Sequence, residues 1–352
     1  LSILKSLAYI RFYLFYIFII NFYDEKYLKK LIFFSVIALS FVIFDVIFQY
    51  VFDKDIFGYP SGLEGTRYQG PFGDELISGS FFKYFLFISL GSHYFNNSKL
   101  KFIFLFLSFI VIFLSGEKSN IIMITLGLLV LFCLDFKKNY KILIGLISTI
   151  FIIFTLIFGI LEFENKKIED KILKLKNRYY VHMLNSIGYN ITDDKGEKLS
   201  NSIKNSPHVI HFINAYELFQ QNIIFGVGIK NYRNSCQNTN ENKISNFYKI
   251  DKDQFLKYRC TTHPHNIYLE LLAEIGLLGT IIFLLIVLKI YFRFIKIFVY
   301  ENKKVLENFF LSFFIITFPI STTGSFFTNK NSIIFWMILS ILLILNKKFK
   351  GN

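Results

Sequence analysis

The feature that most constrains this chain is a succession of long Phe-, Ile- and Leu-rich runs interrupted by few charges. A helix crossing a bilayer needs about 20 mostly apolar residues, and nine segments approach that length: 8–23, 31–52, 76–93, 101–115, 120–136, 141–162, 267–292, 306–322 and 331–346. None alternates polar with apolar residues as barrel strands do, and in lipid the backbone must satisfy its own hydrogen bonds, so these runs read as helices. The expected fold class is an all-α polytopic membrane protein with about nine transmembrane helices. Composition supports this: 53% of the 352 residues are hydrophobic and 18% charged, against about a quarter charged in soluble domains. A soluble enzyme is excluded. Disorder is excluded too, because 46 Phe and 21 Tyr supply far more apolar surface than a solvated coil carries.

The net charge of +14 would suggest nucleic acid in a soluble chain. In a membrane protein it has a topological use, since Lys and Arg hold short loops on the cytoplasmic side. With Lys347, Lys348 and Lys350 placed inside, the short loops carrying Lys26, Lys29 and Lys30, then Lys99 and Lys101, then Lys137, Lys138 and Lys141, then Lys289, Arg293, Lys296, Lys303 and Lys304 also fall inside. Sixteen cations then face four outside: Lys54, Arg67, Lys118 and Lys330. Membrane lipids are the expected surroundings, and no nucleic acid is expected. The organisation that follows is a six-span region over 1–162 with short outer loops at 53–75 and 115–119, a large outer loop over 163–266, and a three-span region over 267–352. The first span would run from outside to inside and the chain begins at Leu1, so further N-terminal spans are expected to precede it.

The outer segment 163–266 turns polar, beginning at Glu162, Glu164, Asn165, Lys166 and Lys167 and running through Asp193, Asp194 and Lys195. Loops of about 100 residues are usually functional. Cys236 and Cys260 lie in it, where an oxidising compartment permits a disulfide; closing 24 residues would stabilise by roughly 3–4 kcal/mol in the chain-entropy treatment. Two free thiols are the alternative. Cys133, in the fifth span, reads as a small buried hydrophobe.

Chemistry concentrates where that loop meets the seventh span, at Thr261-Thr262-His263-Pro264-His265-Asn266-Ile267-Tyr268-Leu269-Glu270. Pro264 suits the first turn of a helix, which would set His265 at the span's outer mouth, at its ordinary pKa of about 6.5 and able to take a proton from a hydroxyl. Glu270 and Glu274 are four apart on this helix, and carboxylates in membranes are more often functional than chance allows. Gly276 and Gly279 read as a small-residue packing face. His263 and His265 alone make no metal site, because catalytic zinc takes three protein ligands. His93 and His182 have no spacing partner. Asp74 and Glu75 fit an acceptor sugar, a cation or a helix N-terminus.

These residues resemble the O-antigen ligase family, shared with O-antigen polymerases, whose pattern is His-Asn, nine residues, Gly, two residues, Gly or Thr, Thr-Val. Here it reads His265-Asn266, then Gly276, Gly279, Thr280 and Ile281 in place of Val. Gly226-Val227-Gly228 resembles the family's upstream turn, and Arg67-Tyr68-Gln69-Gly70-Pro71-Phe72-Gly73-Asp74-Glu75 its early outer block. The resemblance implies a metal-independent membrane glycosyltransferase without a cofactor. Its donor would be a glycan on undecaprenyl diphosphate and its acceptor a sugar hydroxyl on lipid A-core or another glycan, with the active site at the periplasmic face of the bacterial inner membrane. It implies His265 as the base, Asn266 beside it, and a pair of arginines for the diphosphate, since guanidinium matches phosphate oxygens.

The chain departs from the family at those arginines. Lys118 stands in the outer turn Ser115-Gly116-Glu117-Lys118-Ser119-Asn120, and His208 with His211 stands where the second arginine usually precedes the amphipathic segment. Of Arg67, Arg178, Arg233 and Arg259, the expectation falls on Arg67 and Arg233, with Lys118, His208 and Asn266, as the groups that contact the diphosphate or substrate. A polymerase is the nearest rival; its usual Arg, ten residues, Gly spacing is missed by one between Arg67 and Gly79. A transporter is the rival from another class, although transporters place broken helices and polar groups near the midplane.

Overall fold

The computed structural model describes residues 2–62, 66–134, 166–181, 206–300, 304–321 and 324–350, with scattered positions between 140 and 155. Most of the sixth expected span, the stretch at Asp193 and Asp194, and His182 lie outside the described residues. In chain order the helices are α1 (Ser2–Asn21), α2 (Glu25–Phe52), α3 (Ser78–Leu90), α4 (Ser98–Leu114), α5 (Lys118–Leu134), α6 (Lys166–Lys176), α7 (Pro207–Gln221), α8 (Tyr232–Ser235), α9 (Glu241–Tyr248), α10 (Lys252–Tyr258), α11 (Ile267–Tyr300), α12 (Lys304–Thr317) and α13 (Asn329–Lys350). Among the described residues no sheet forms; there are two isolated bridges, Lys54 with Pro60 and Gly62 with Arg67.

Four helical segments are long and apolar enough to cross a bilayer: Leu4–Asn21, Glu25–Phe52, Ile267–Phe294 and Asn329–Lys347. The apolar α3, α4, α5 and α12 are shorter, at 13, 17, 17 and 14 residues. At 1.5 Å per residue α3 spans only about 20 Å. The chain is thus a multi-pass helical membrane protein in which some apolar runs of the sequence yield helices shorter than the runs themselves. Cys133 is exposed on α5 rather than buried; the outer face of an apolar helix in lipid has no need of a polar residue, so an apolar run does not reveal which side faces inward.

The chain divides into two compact units. One comprises Leu1–Phe22, Met183–Glu301 and Thr317–Asn352. In it α1 packs along α13, with Arg11 donating to Asn329 Oδ1 at 2.6 Å and the Tyr9 ring edge-on to Phe327. Helix α7 packs on α11, and Ile210 of α7 joins Ile244 of α9, Phe255 of α10 and Ile250 between them in a buried cluster. The described part of the polar segment 163–266 is therefore a folded helical layer with its own core.

The other unit comprises Tyr23–His182 and Asn302–Ile316. Asp24 caps α2, its side chain accepting from Lys26 N–H, and α2 packs against α3 and α4. The end of α2 also holds the loop that leads to α3: buried Gln49 Oε1 accepts from the N–H groups of Gln69 (2.8 Å) and Gly70 (3.0 Å), and Asp45 Oδ1 from Ile56 N–H (2.8 Å). Gly70, at φ +56, lies so close to Val46 that a Cβ would approach its Cγ2 to 2.7 Å.

Candidate functional site

The first unit builds its site around a break in α11. At Gly276 the backbone leaves helical geometry, with φ +66 and ψ −168. A continuous helix would pair the Ala273 and Glu274 carbonyls with Leu277 and Leu278 N–H. Here Val227 and Gly228 donate to those carbonyls, both at 2.8 Å, while Leu277 and Leu278 donate to the Ile223 and Ile224 carbonyls at 2.7 and 3.3 Å. The Gly-Val-Gly turn and the motif glycine are thus two halves of one backbone exchange. A Cβ on Gly276 would lie 2.3 Å from Ile224 O, and one on Gly226 2.5 Å from the Glu274 carbonyl carbon. Expected as a packing face, Gly276 instead serves a break whose freed backbone groups all find partners, the condition on which irregular backbone is tolerated in a span. Thr280 Oγ1 closes the exchange by donating to Gly276 O at 2.7 Å.

Both buried carboxylates on α11 hold neighbouring segments of chain in place. Glu274 accepts from Lys230 N–H (2.5 Å) and Tyr232 N–H (3.1 Å), fixing the start of α8. Glu270 accepts from Phe326 N–H (2.8 Å) and Ser325 Oγ, fixing the turn before α13.

His265 sits two residues before α11 in the left-handed region, at φ +57. Pro264 is not in the helix's first turn as expected. Asn266 is the cap: its Oδ1 accepts from Tyr268 (3.0 Å) and Leu269 (3.1 Å) N–H, and its Nδ2 donates to Pro319 O at 2.8 Å. An amide engaged at both ends fixes the backbone beside His265, whereas the resemblance had placed it among groups that bind substrate. Upstream, Cys236 and Cys260 are joined, Cα to Cα 5.3 Å. Asn214 Nδ2 donates to Arg259 O at 2.8 Å, and Tyr232 Oη reaches the His211 and Arg259 carbonyls. The segment entering His265 is therefore tethered on both sides.

Four histidines converge there. The His265 ring lies 4.1 Å from that of His263 and 5.4 Å from those of His208 and His211, centroid to centroid. Among the described residues no group of three or more His, Cys, Asp or Glu is arranged to hold a metal ion. What the cluster does is electrostatic. Burial and then the imidazoles of His263, His208 and His211 hold His265 down at about 3, and burial followed by His208 holds His211 at about 4. The expectation of an ordinary interfacial value near 6.5 fails because the ring is half-buried among its own kind. At neutral pH His265 is a neutral imidazole, the form that accepts a proton.

The second unit gathers cations at the turn after α4, where Gly116 adopts φ +69. Arg67 donates through Nε to Ser115 O at 3.0 Å and pairs with Glu117 Oε1 at 3.7 Å. Gly79 N–H donates to Glu117 Oε1 (2.9 Å), and Ser80 Oγ and Asn120 Nδ2 donate to Oε2. Burial pushes the Glu117 carboxyl up, while Arg67, Ser80, Gly79 and the buried Lys83 oppose that shift. Lys118 opens α5 beside this turn, and Arg178, on a π-turn over Asn177–Val181, donates to Gly116 O at 3.4 Å.

Of the expected residues, Arg67 and Lys118 fall together in the second unit. His265, Asn266, His208 and the Cys236–Cys260 pair fall in the first, as does Arg233, exposed on α8. Arg259 is held by Glu241 at 3.1 Å. Asp74 and Glu75 are exposed and precede α3. His263, His211, Glu117, Lys83 and Arg178 were missed as partners of these groups. The i,i+3 spacing of His208 and His211 on a helix was the one signal available for any of them.

The family model described as O-antigen ligase matches residues 103–284. That range contains Lys118, the histidine cluster, the Gly-Val-Gly turn and the broken helix, and it begins after Arg67. No curated protein and no solved structure matches the chain. With just over half its length matched, including the motif that builds the helix break and sets His265 before it, the chain belongs to the O-antigen ligase family and is a membrane enzyme of the glycosyltransferase-like ligase and polymerase group.

Proposed function

We propose that this protein is an O-antigen ligase, moving a glycan from undecaprenyl diphosphate to a sugar hydroxyl of lipid A-core at the periplasmic face of the inner membrane. The observation that carries the reading is His265, kept neutral among three other imidazoles at the head of the family's motif helix. In the step proposed, the acceptor oxygen bonds to the donor's anomeric carbon as the bond from that carbon to the phosphate oxygen breaks. The hydroxyl proton passes to His265, and the electron pair leaves on the diphosphate. Arg67 and Lys118 stabilise the departing charge. An anionic donor would also raise the imidazole's proton affinity above its free-enzyme value, making it a better base when substrate is present.

This reading calls for no metal. A polymerase would use the same base and cations on a carrier-linked acceptor. Glycan analysis of a deletion strain separates the two. Loss of long chains from the core, with polymer accumulating on the carrier, is the ligase outcome; single repeat units on the core would show a polymerase instead.

A further inference from the structure

Helix α11 is longer than a bilayer requires. Its apolar stretch, Ile267–Phe294, has 28 residues, about 42 Å at 1.5 Å per residue, whereas the hydrocarbon core is about 30 Å thick. An upright helix therefore leaves about eight residues outside the core, and the pattern of exposure says which. From Ile267 to Gly276 every residue is buried or half-buried, whereas Leu277, Leu278, Ile281, Ile282 and Leu285 are exposed. Leu278, Ile281, Ile282 and Leu285 follow helical spacing and form one apolar stripe, the side that a span turns to lipid. Glu270 and Glu274 fall in the stretch before the break, where they hold polar chain instead of facing hydrocarbon, in which carboxylates are costly. Lys289 and Arg293 lie toward the other end, where long side chains reach the interface.

A second apolar feature meets α11 at the same level, from the polar segment. Ile223, Ile224 and Phe225, which follow α7, are 51%, 61% and 72% exposed, and no charged residue lies between Glu217 and Lys230. Contiguous exposed apolar groups of this kind mark contact with protein or membrane. Here the neighbour decides between them: Ile223 O and Ile224 O accept from Leu277 and Leu278 N–H, the residues at which the exposed stripe of α11 begins. Gly226 N–H donates to Asn222 O at 2.8 Å, so three successive carbonyls of the turn are satisfied without water, which lowers the cost of seating backbone in lipid. Exposed Gln220, Gln221 and Asn222 precede the apolar tip and limit its depth, and exposed Tyr216 on α7 is a residue type that favours the interface. We propose that the edge of the hydrocarbon lies at the Gly276 break, and that Ile223-Ile224-Phe225 is an apolar prong seated in bilayer lipid beside it. The helical layer is thereby held to the membrane by its own prong. His265 stands above the lipid by the length of Ile267–Ile275, about 14 Å.

The test is fluorescence quenching of the full chain in phosphatidylcholine nanodiscs, with bimane attached to Phe225→Cys in a Cys133→Ser background, since Cys133 is the free thiol. A phosphatidylcholine carrying a doxyl group close to the headgroup should quench the label more strongly than aqueous iodide does. Quenching by iodide that equals or exceeds quenching by the lipid overturns the proposal, because the turn then faces water. Protection from both quenchers also overturns it, by placing the turn against protein such as a second copy of the chain. Should Phe225→Cys aggregate, Ile224→Cys carries the same comparison. Leu278→Cys, just past the break, should respond as Phe225→Cys does, and iodide-dominated quenching there would overturn the placement of the lipid edge. Quenching reads depth without turnover, so its outcome stands apart from that of the transferase reading.

Discussion

The two units solve opposite electrostatic problems. Around His265 the first unit must keep an ionisable ring uncharged, and does so by partial burial beside three more imidazoles, each penalising a proton on the others. Around Gly116 the second unit must keep charges charged in a largely buried turn, and does so with backbone carbonyls and a single carboxylate. Burial lowers the proton affinity of both His265 and Arg67. For the imidazole that fixes the reactive form, whereas a guanidinium starts so high that it stays cationic. One physical effect leaves an unprotonated imidazole in one place and a cation in the other.

The units also differ in what holds them, and substitution should expose this most sharply at Gly276. Gly276→Ala puts a Cβ 2.3 Å from Ile224 O at positive φ, a strain of about 2 kcal/mol or more from the backbone conformation alone. Yield of folded protein, read by fluorescence size exclusion, should collapse; a normal elution profile would mean that the four-bond exchange is not needed. In the second unit Lys118→Ala should leave folding intact and lower transfer by about tenfold or more, as expected for one contact to a charged group. Lys118→Arg should retain more activity than Lys118→Ala, and equal activity of the two would remove Lys118 from the diphosphate contacts.

A pH titration distinguishes the units again. His265 and His211 have folded pKa values near 3 and 4, below the ordinary 6.5. Below about pH 6.5 the unfolded chain therefore binds protons that the folded one refuses. Stability from this source is complete above pH 6.5 and is lost as pH falls toward 4. The thermal midpoint should decline over that window, and less steeply in His211→Asn; identical slopes would show that the cluster does not carry the effect. A further contrast is expected at Cys260→Ser. Opening the 24-residue loop should lower stability by up to about 3–4 kcal/mol and reduce transfer in part, because Asn214 and Tyr232 still hold the Arg259 carbonyl. Unchanged melting in that variant would make the bridge dispensable.

Much of the architecture was legible from the apolar runs, because lipid leaves a Phe- and Ile-rich segment few alternatives to a helix. The spacing from His265 to Gly276 was legible as a motif, but its meaning was not. The bond exchange with residues 223–228 joins segments about 50 residues apart, and no local pattern announces it. A broken helix is a feature that transporters share, and the break at Gly276 is one that no sequence pattern announced; the family match carries the enzyme reading. That Arg178 joins Lys118 at the Gly116 turn was not legible, because only the fold brings residue 178 to residue 116. Asn266 reads in sequence as a substrate-binding neighbour of His265, and only its two engaged ends reveal a cap.

The central claim is that His265 is a neutral base. It is tested most directly by glycan transfer in vitro with purified wild-type and His265→Ala protein at matched membrane insertion, followed by the pH dependence of wild-type kcat/KM. Losing the base should cost at least about a hundredfold, and wild-type kcat/KM should hold level through pH 6.5 down to about 5, because the free-enzyme imidazole is already unprotonated there. Wild-type transfer by His265→Ala, or an acid limb centred at pH 6.5, would contradict it.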